Sequence, residues 1–290
     1  MTQIKFLHNA KIVENDNQKY LVKRKKTNLE NTLEFLKNRD FHNFIEPIEL
    51  NTKEEIYPYI EELNTTDNDR ALDLIYLSSL LHSKTTTFKK VQIDTIKDRY
   101  EKTIDRLNET FTYYSKLQDE IEEHLYMSPA ELLLMKNISK IYYMLNTSRE
   151  FIEKYYQEAE KITNEREALI HGSLSLDHII EGENKYLISW NNARKDLPIY
   201  DLINFYRSDY DKVNMEVLFD VYLKRYNYTI EEKYLFFSLI NIPQIVIFNK
   251  SNFTNTINAR KIVDYIDKTI SFTSKQYKEN EKTDYKEFEQ

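Results

Sequence analysis

Cysteine is absent from the 290 residues, and glycine occurs only twice. The first absence excludes disulfides, thiolate metal sites and cysteine nucleophiles. The second excludes glycine-rich phosphate loops. G-x-G-x-x-G needs three glycines, and G-x-x-x-x-G-K-[ST] needs two at a closer spacing than Gly172 and Gly182. Proline is scarce too, at five, so turns fall largely to Asn and Asp, which tolerate left-handed backbone. No apolar run approaches the roughly 20 residues that cross a bilayer, and stretches such as Tyr234 to Ile240 are only a few residues long. The first thirty residues hold no apolar core of signal-peptide length, so the expected compartment is the cytoplasm, with no membrane span.

A cationic excess is also missing. The formal net charge of -7 argues against a surface built to collect phosphates, and no nucleic-acid partner is expected. One local run, Lys23 to Lys26, is basic. Beside a predicted strand it reads as a solvated edge.

What is present is a chain rich in Lys, Glu, Asn, Ile and Tyr, long enough for a substantial core. Lys11 to Val13 and Lys19 to Lys23 flank a polar connector of hairpin length and predict two strands. From Asn28 the period turns helical at Leu29, Leu33 and Leu36, with Thr27 or Asn28 as the cap. Ile56 to Ile60 reads as a strand or connector because Pro58 discourages a helix, and Leu72 to His82 reads as a short buried helix. Apolar positions from Ile93 to Leu125 step by three or four and predict one amphipathic helix of about nine turns. Ser128 and Pro129 supply a cap and first-turn proline for a second long helix running through Leu145. Together the two make an αα-hairpin whose charged outer face is a candidate protein-interaction surface. Further helices are expected from Tyr200 to about Ser274, and a frayed tail over 275–290.

Between the hairpin and the last helices lies Leu169-Ile170-His171-Gly172-Ser173-Leu174-Ser175-Leu176-Asp177-His178. It is followed by Tyr186-Leu187-Ile188-Ser189-Trp190 and by Tyr200-Asp201-Leu202. Two short apolar strands joined by Glu181 to Asn184 form a hairpin, preceded by a polar loop that opens at His171.

This pattern resembles the aminoglycoside phosphotransferase and choline kinase family, including its bacterial spore-coat kinase-like branch. That family shows H-G-D-x-x-x-x-N, then an apolar strand ending I-D-W or I-D-F, then Y-D-L. His171, Gly172, Trp190 and Tyr200-Asp201-Leu202 match. Ser173 stands where the family has its catalytic Asp, His178 where it has a metal-binding Asn, and Ser189 where it has a metal-binding Asp.

The resemblance implies an α+β, bilobal protein-kinase-like fold. Residues 1–62 would form a β-rich N-terminal lobe and 63–274 a helical lobe, carrying the helical hairpin 92–165 and the altered catalytic loop 169–202. It implies that Lys23 contacts phosphate, with Glu30 or Glu34 as its ion-pair partner, and that His171, Gly172, Trp190 and Asp201 are a structural frame. Spore association is suggested by that one branch alone.

The three substitutions bear on chemistry because phosphoryl transfer depends on positioning and charge neutralisation. Magnesium is typically fixed by one or two carboxylates together with phosphate oxygens. Serine at 189 offers a neutral dipole, histidine at 178 offers nitrogen, and serine at 173 accepts no proton near neutral pH. The expected protein is therefore a pseudokinase that binds or scaffolds, with an unidentified protein or small molecule as partner. No cofactor and no metal are expected, although ATP can still bind without magnesium. The alternative is a divergent ATP-dependent small-molecule phosphotransferase in which Asp177 or Asp196 replaces a lost group.

Overall fold

The computed structural model describes residues 3–6, 10–15, 18–25, 29–50 and 53–287. The chain divides into two compact units. One comprises Met1–Thr87, Glu167–Phe205 and Asp220–Tyr226; the other comprises Phe88–Arg166, Tyr206–Phe219 and Asn227–Gln290.

The first unit opens with β1 (Gln3–Phe6), β2 (Ala10–Asn15) and β3 (Gln18–Arg24), then α1 (Glu30–Asn38), β4 (Glu49–Leu50) and β5 (Glu54–Pro58). The strands form one antiparallel sheet in the order β1-β2-β3-β5-β4. The hairpin expected from Lys11 to Lys23 is present as β2 and β3, with Ile12 opposite Leu21 and Ala10 opposite Lys23. Strand β1, unmarked in the sequence, pairs with β2.

The basic run does not follow a sheet edge as its composition predicts, because β3 is the central strand of the sheet. Arg24 lies in register with Glu54 and Lys25 approaches Glu30 at 3.9 Å, so acidic neighbours absorb its charge. Lys26, and the helix cap assigned to Thr27 or Asn28, lie outside the described residues.

Helix α2 (Asp67–Thr85) is longer than the expected Leu72 to His82 because Thr66 caps it, accepting from the Asp69 N–H. The unit also holds β8 (Ile179–Glu181) and β9 (Lys185–Leu187), which form the expected short hairpin with Glu181 opposite Lys185. The chain further contains β6 (Thr87–Lys90) and α7 (Met215–Arg225).

The second unit is helical. Its α3 (Ile93–Glu122) is continuous, as the period of three and four predicts. The second arm is not. It breaks into α4 (Pro129–Met135) and α5 (Ile138–Ala159), and buried Asn137 at the junction turns its side-chain amide back onto the Leu133 carbonyl. Ser128 caps α4 with a reciprocal bond from its own N–H to Glu131.

Polar contacts pair Arg99 with Tyr155, Asn108 with Arg149 and Gln118 with Tyr142, so α3 and α5 run antiparallel. Helix α8 (Ile230–Ile240) packs on α5, where the Ser148 hydroxyl donates to the Ser238 carbonyl. The final helix, α9 (Asn252–Glu287), continues through the residues expected to fray from Lys275. Gln276 is buried, and the Tyr277 hydroxyl accepts from Lys154, so packing holds at least this part of the segment.

Candidate functional site

Strand β7 (Asn164–Ile170) leads directly into the loop at His171, and β10 (Arg194–Asp196) pairs with it, Arg194 opposite Ile170. Two residues beyond β10, α6 (Ile199–Asp209) begins, which places Asp201 in its first turn. The Asp201 carboxylate is fully buried. It accepts from the His171 N–H at 2.7 Å, the Gly172 N–H at 2.8 Å and His82 Nε2 at 3.1 Å. Nδ1 of His82 is in turn 2.7 Å from the Tyr222 hydroxyl. Burial pushes the Asp201 carboxyl up, but hydrogen bonds and the facing imidazoles outweigh it and hold the group below its ordinary value.

The frame residues meet. His171 Nε2 donates to the Ile188 carbonyl at 2.7 Å, and its ring meets Trp190 edge-on at 5.2 Å. Burial lowers the imidazole's affinity for a proton, which keeps it neutral near pH 7. Trp190 donates to the Leu187 carbonyl and lies edge-on to Phe41. Gly172 adopts φ +80°, and a Cβ there would sit 2.1 Å from the Asn192 carbonyl oxygen, so no other residue fits. Its carbonyl accepts from Asn204 at 3.1 Å.

Ser173, His178 and Ser189 differ in setting. His178 is turned into its own loop, Nδ1 donating to the Ser173 carbonyl at 2.6 Å and lying 3.0 Å from Ser175 Oγ. Ser173 is half-buried. Ser189 is also half-buried and occupies left-handed backbone, φ 68° and ψ 50°, a conformation that is uncommon outside glycine and short polar residues.

A cavity of about 350 Å³ lies in the first unit, and Lys23 and Ser189 both line it. Leu21, Leu33, Ile45 and Leu187 make much of its wall apolar. The carboxylate in register with Lys23 is Glu55, on β5. It is 5% exposed; Oε2 accepts from the Tyr57 hydroxyl at 2.9 Å, while Oε1 meets no donor. Burial holds the Lys23 ammonium below its ordinary value, partly offset by Glu55, and burial with Glu55 pushes the Tyr57 phenol up. Glu30 approaches Lys25 instead, and Glu34 is exposed on α1.

Neither candidate replacement acid lines the cavity. Asp177 is exposed on the 3-10 turn Leu176–His178. Asp196 accepts from Arg194 Nε at 3.0 Å and from the Leu197 N–H at 2.9 Å. Among the described residues, no three His, Asp or Glu side chains group to hold a metal. Magnesium is typically fixed by one or two carboxylates with phosphate oxygens, and Ser173, Ser189 and the internally bonded His178 supply no carboxylate.

Sequence reasoning missed Glu55, His82 and Asn204 as site residues. For Glu55 a signal existed, since the period of two in Glu55-Ile56-Tyr57 puts Glu55 and Tyr57 on one strand face. The register of β5 against β3, which supplies Lys23 as the neighbour, is set across an intervening helix. His82 and Asn204 reach the loop only through tertiary packing.

Solved structures resemble the chain over nearly its whole length. An aminoglycoside phosphotransferase from Alicyclobacillus acidocaldarius matches with a TM-score of 0.72 at 11% identity, covering 96% of this chain and 92% of that one. A spectinomycin phosphotransferase in an AMP-bound complex matches with a TM-score of 0.59 at 15% identity, covering 92% of each chain. The same enzyme in complex with ADP and spectinomycin gives 0.54 at 14% identity, over 94% of this chain and 93% of that one. No protein-family model and no curated protein matches the sequence. The chain has the aminoglycoside phosphotransferase fold, and among its described residues no helix is long and apolar enough to cross a membrane.

Proposed function

We propose that this protein is a pseudokinase, a catalytically inactive protein that uses an aminoglycoside phosphotransferase-like fold to bind a ligand or a partner. The observation that carries the proposal is a preserved frame around a loop that has no acid at the three positions where the resembled family carries its base and metal ligands. Asp201 braces the loop through two backbone N–H groups, while positions 173, 178 and 189 supply no carboxylate. Phosphoryl transfer needs charge neutralisation by metal and an acceptor for the nucleophile's proton, and groups that act as one catalytic unit are not replaced one at a time.

The reading of an active enzyme with rearranged ligands draws no support from Asp177 or Asp196. The first is exposed and does not line the cavity, and the second is held by Arg194 and the Leu197 N–H. A nucleotide arriving without metal would meet Lys23 as the one cation, and Glu55 and Glu62 as carboxylates, on the described cavity wall.

Thermal shift with ATP, in magnesium and in EDTA, tests the proposal. Equal shifts, or none, agree with a site that holds no metal. A shift that grows with magnesium overturns it.

A further inference from the structure

The cavity of the first unit contains an acceptor that the fold leaves unsatisfied. Glu55 is 5% exposed and lines the cavity, and its Oε1 has no hydrogen-bond partner. Native proteins rarely bury such an oxygen without a donor, and where the fold supplies none, a ligand or water does. Oε2 is already engaged by the Tyr57 hydroxyl, so one oxygen remains to be served.

The charges along the wall indicate which donor suits it. Lys23 is the one cation among the described lining residues, set against the carboxylates of Glu55 and Glu62. Glu62 is paired with Arg70, which leaves Lys23 and Glu55 facing the same space. A phosphate approaching Lys23 therefore also approaches the buried Glu55 carboxylate, whose charge already acts on that of Lys23. Aliphatic side chains with Tyr57 and Trp190 provide much of the remaining surface, suited to a flat apolar body.

We propose that the cavity receives a small cationic molecule with a planar apolar body and an N–H donor, an amidinium or protonated amine, which bonds to Glu55 Oε1. Glu55 thereby selects against anionic and phosphate-bearing ligands. This rests on the non-catalytic reading above and names the ligand class of the same cavity.

The test is isothermal titration of the full chain with benzamidine, benzamide and benzoate, which share one ring and differ in charge and donor, with ATP as a fourth ligand. Trp190, the only tryptophan in the chain, lines the cavity and reports entry by its fluorescence. Benzamidine should bind tightest and shift the Trp190 emission, with benzoate and ATP at least about tenfold weaker.

Glu55→Gln keeps an acceptor for Tyr57 and removes the charge. It should bring benzamidine to within about threefold of benzamide. The proposal is overturned if benzamidine does not bind, if benzoate or ATP binds as well, or if the preference survives Glu55→Gln. Should that variant fail to fold, the ranking in the unaltered protein decides. Magnesium-dependent turnover would overturn the pseudokinase reading and leave this ranking untouched, so the two failures are distinguishable.

Discussion

Replacing Asp201 by alanine removes the acceptor of three donors at once: the His171 N–H, the Gly172 N–H and His82 Nε2. His171 and His82 are fully buried, so water does not readily replace the carboxylate for those two. A buried donor left without a partner costs about 1–3 kcal/mol, which puts the two together at about 2–6 kcal/mol. Relief of the buried charge offsets part of this, giving about 2–4 kcal/mol against a typical total of roughly 5–15.

Asparagine is the informative comparison. Oδ1 serves Gly172, and Oδ2 serves both His171 and His82. Wherever the amide NH2 is placed, it faces at least one backbone N–H, so Asp201→Asn must lose a backbone bond but keeps the other and fills the space. Its loss should be about half that of alanine. Urea unfolding followed by Trp190 fluorescence reads the unit in which Asp201 resides. A loss below about 1 kcal/mol for alanine, or asparagine equal to alanine, would refute the bracing role.

Gly172→Ala should destabilise by more than about 2 kcal/mol, since positive φ costs about 1–3 kcal/mol and the added Cβ meets the Asn192 carbonyl; chemical unfolding midpoints check it. Acidification should expose His171. Its folded-state proton affinity is lowered, so its contribution to stability is complete above the unfolded value near 6.5 and is lost as pH falls through that value toward the folded one. The slope is at most about 1.4 kcal/mol per pH unit, and His171→Gln, which keeps a donor for Ile188 but does not titrate, should remove it between about pH 7.5 and 5.5. Asp201, held below its ordinary 3.8, contributes fully above that value and loses its contribution only as pH falls further, so it leaves this window flat. Identical pH profiles of unfolding for the two proteins would contradict the assignment.

The frame is legible in the sequence through the family resemblance, whose motifs place His171-Gly172, Trp190 and Asp201 in order along the chain, and the structure brings those four residues together. Ser128 is legible as a cap because its signal is local. What failed was non-local. The Lys23 run looked like an edge because strand order in a sheet is not carried by the period of one strand. The continuation of α9 past Lys275 depends on Gln276 and Tyr277 finding partners far away in the chain. The period of two places Glu55 on one strand face with Tyr57, but its burial and its register with Lys23 depend on the pairing of β5 with β3.

The central claim, a phosphotransferase frame without phosphoryl transfer, is tested most directly by phosphate release from ATP with magnesium, in the presence and absence of small alcohols and amines. Turnover should not exceed that of a heat-denatured control, and neither Ser173→Ala nor Ser189→Ala should change it. Magnesium-dependent turnover abolished by either substitution would contradict it.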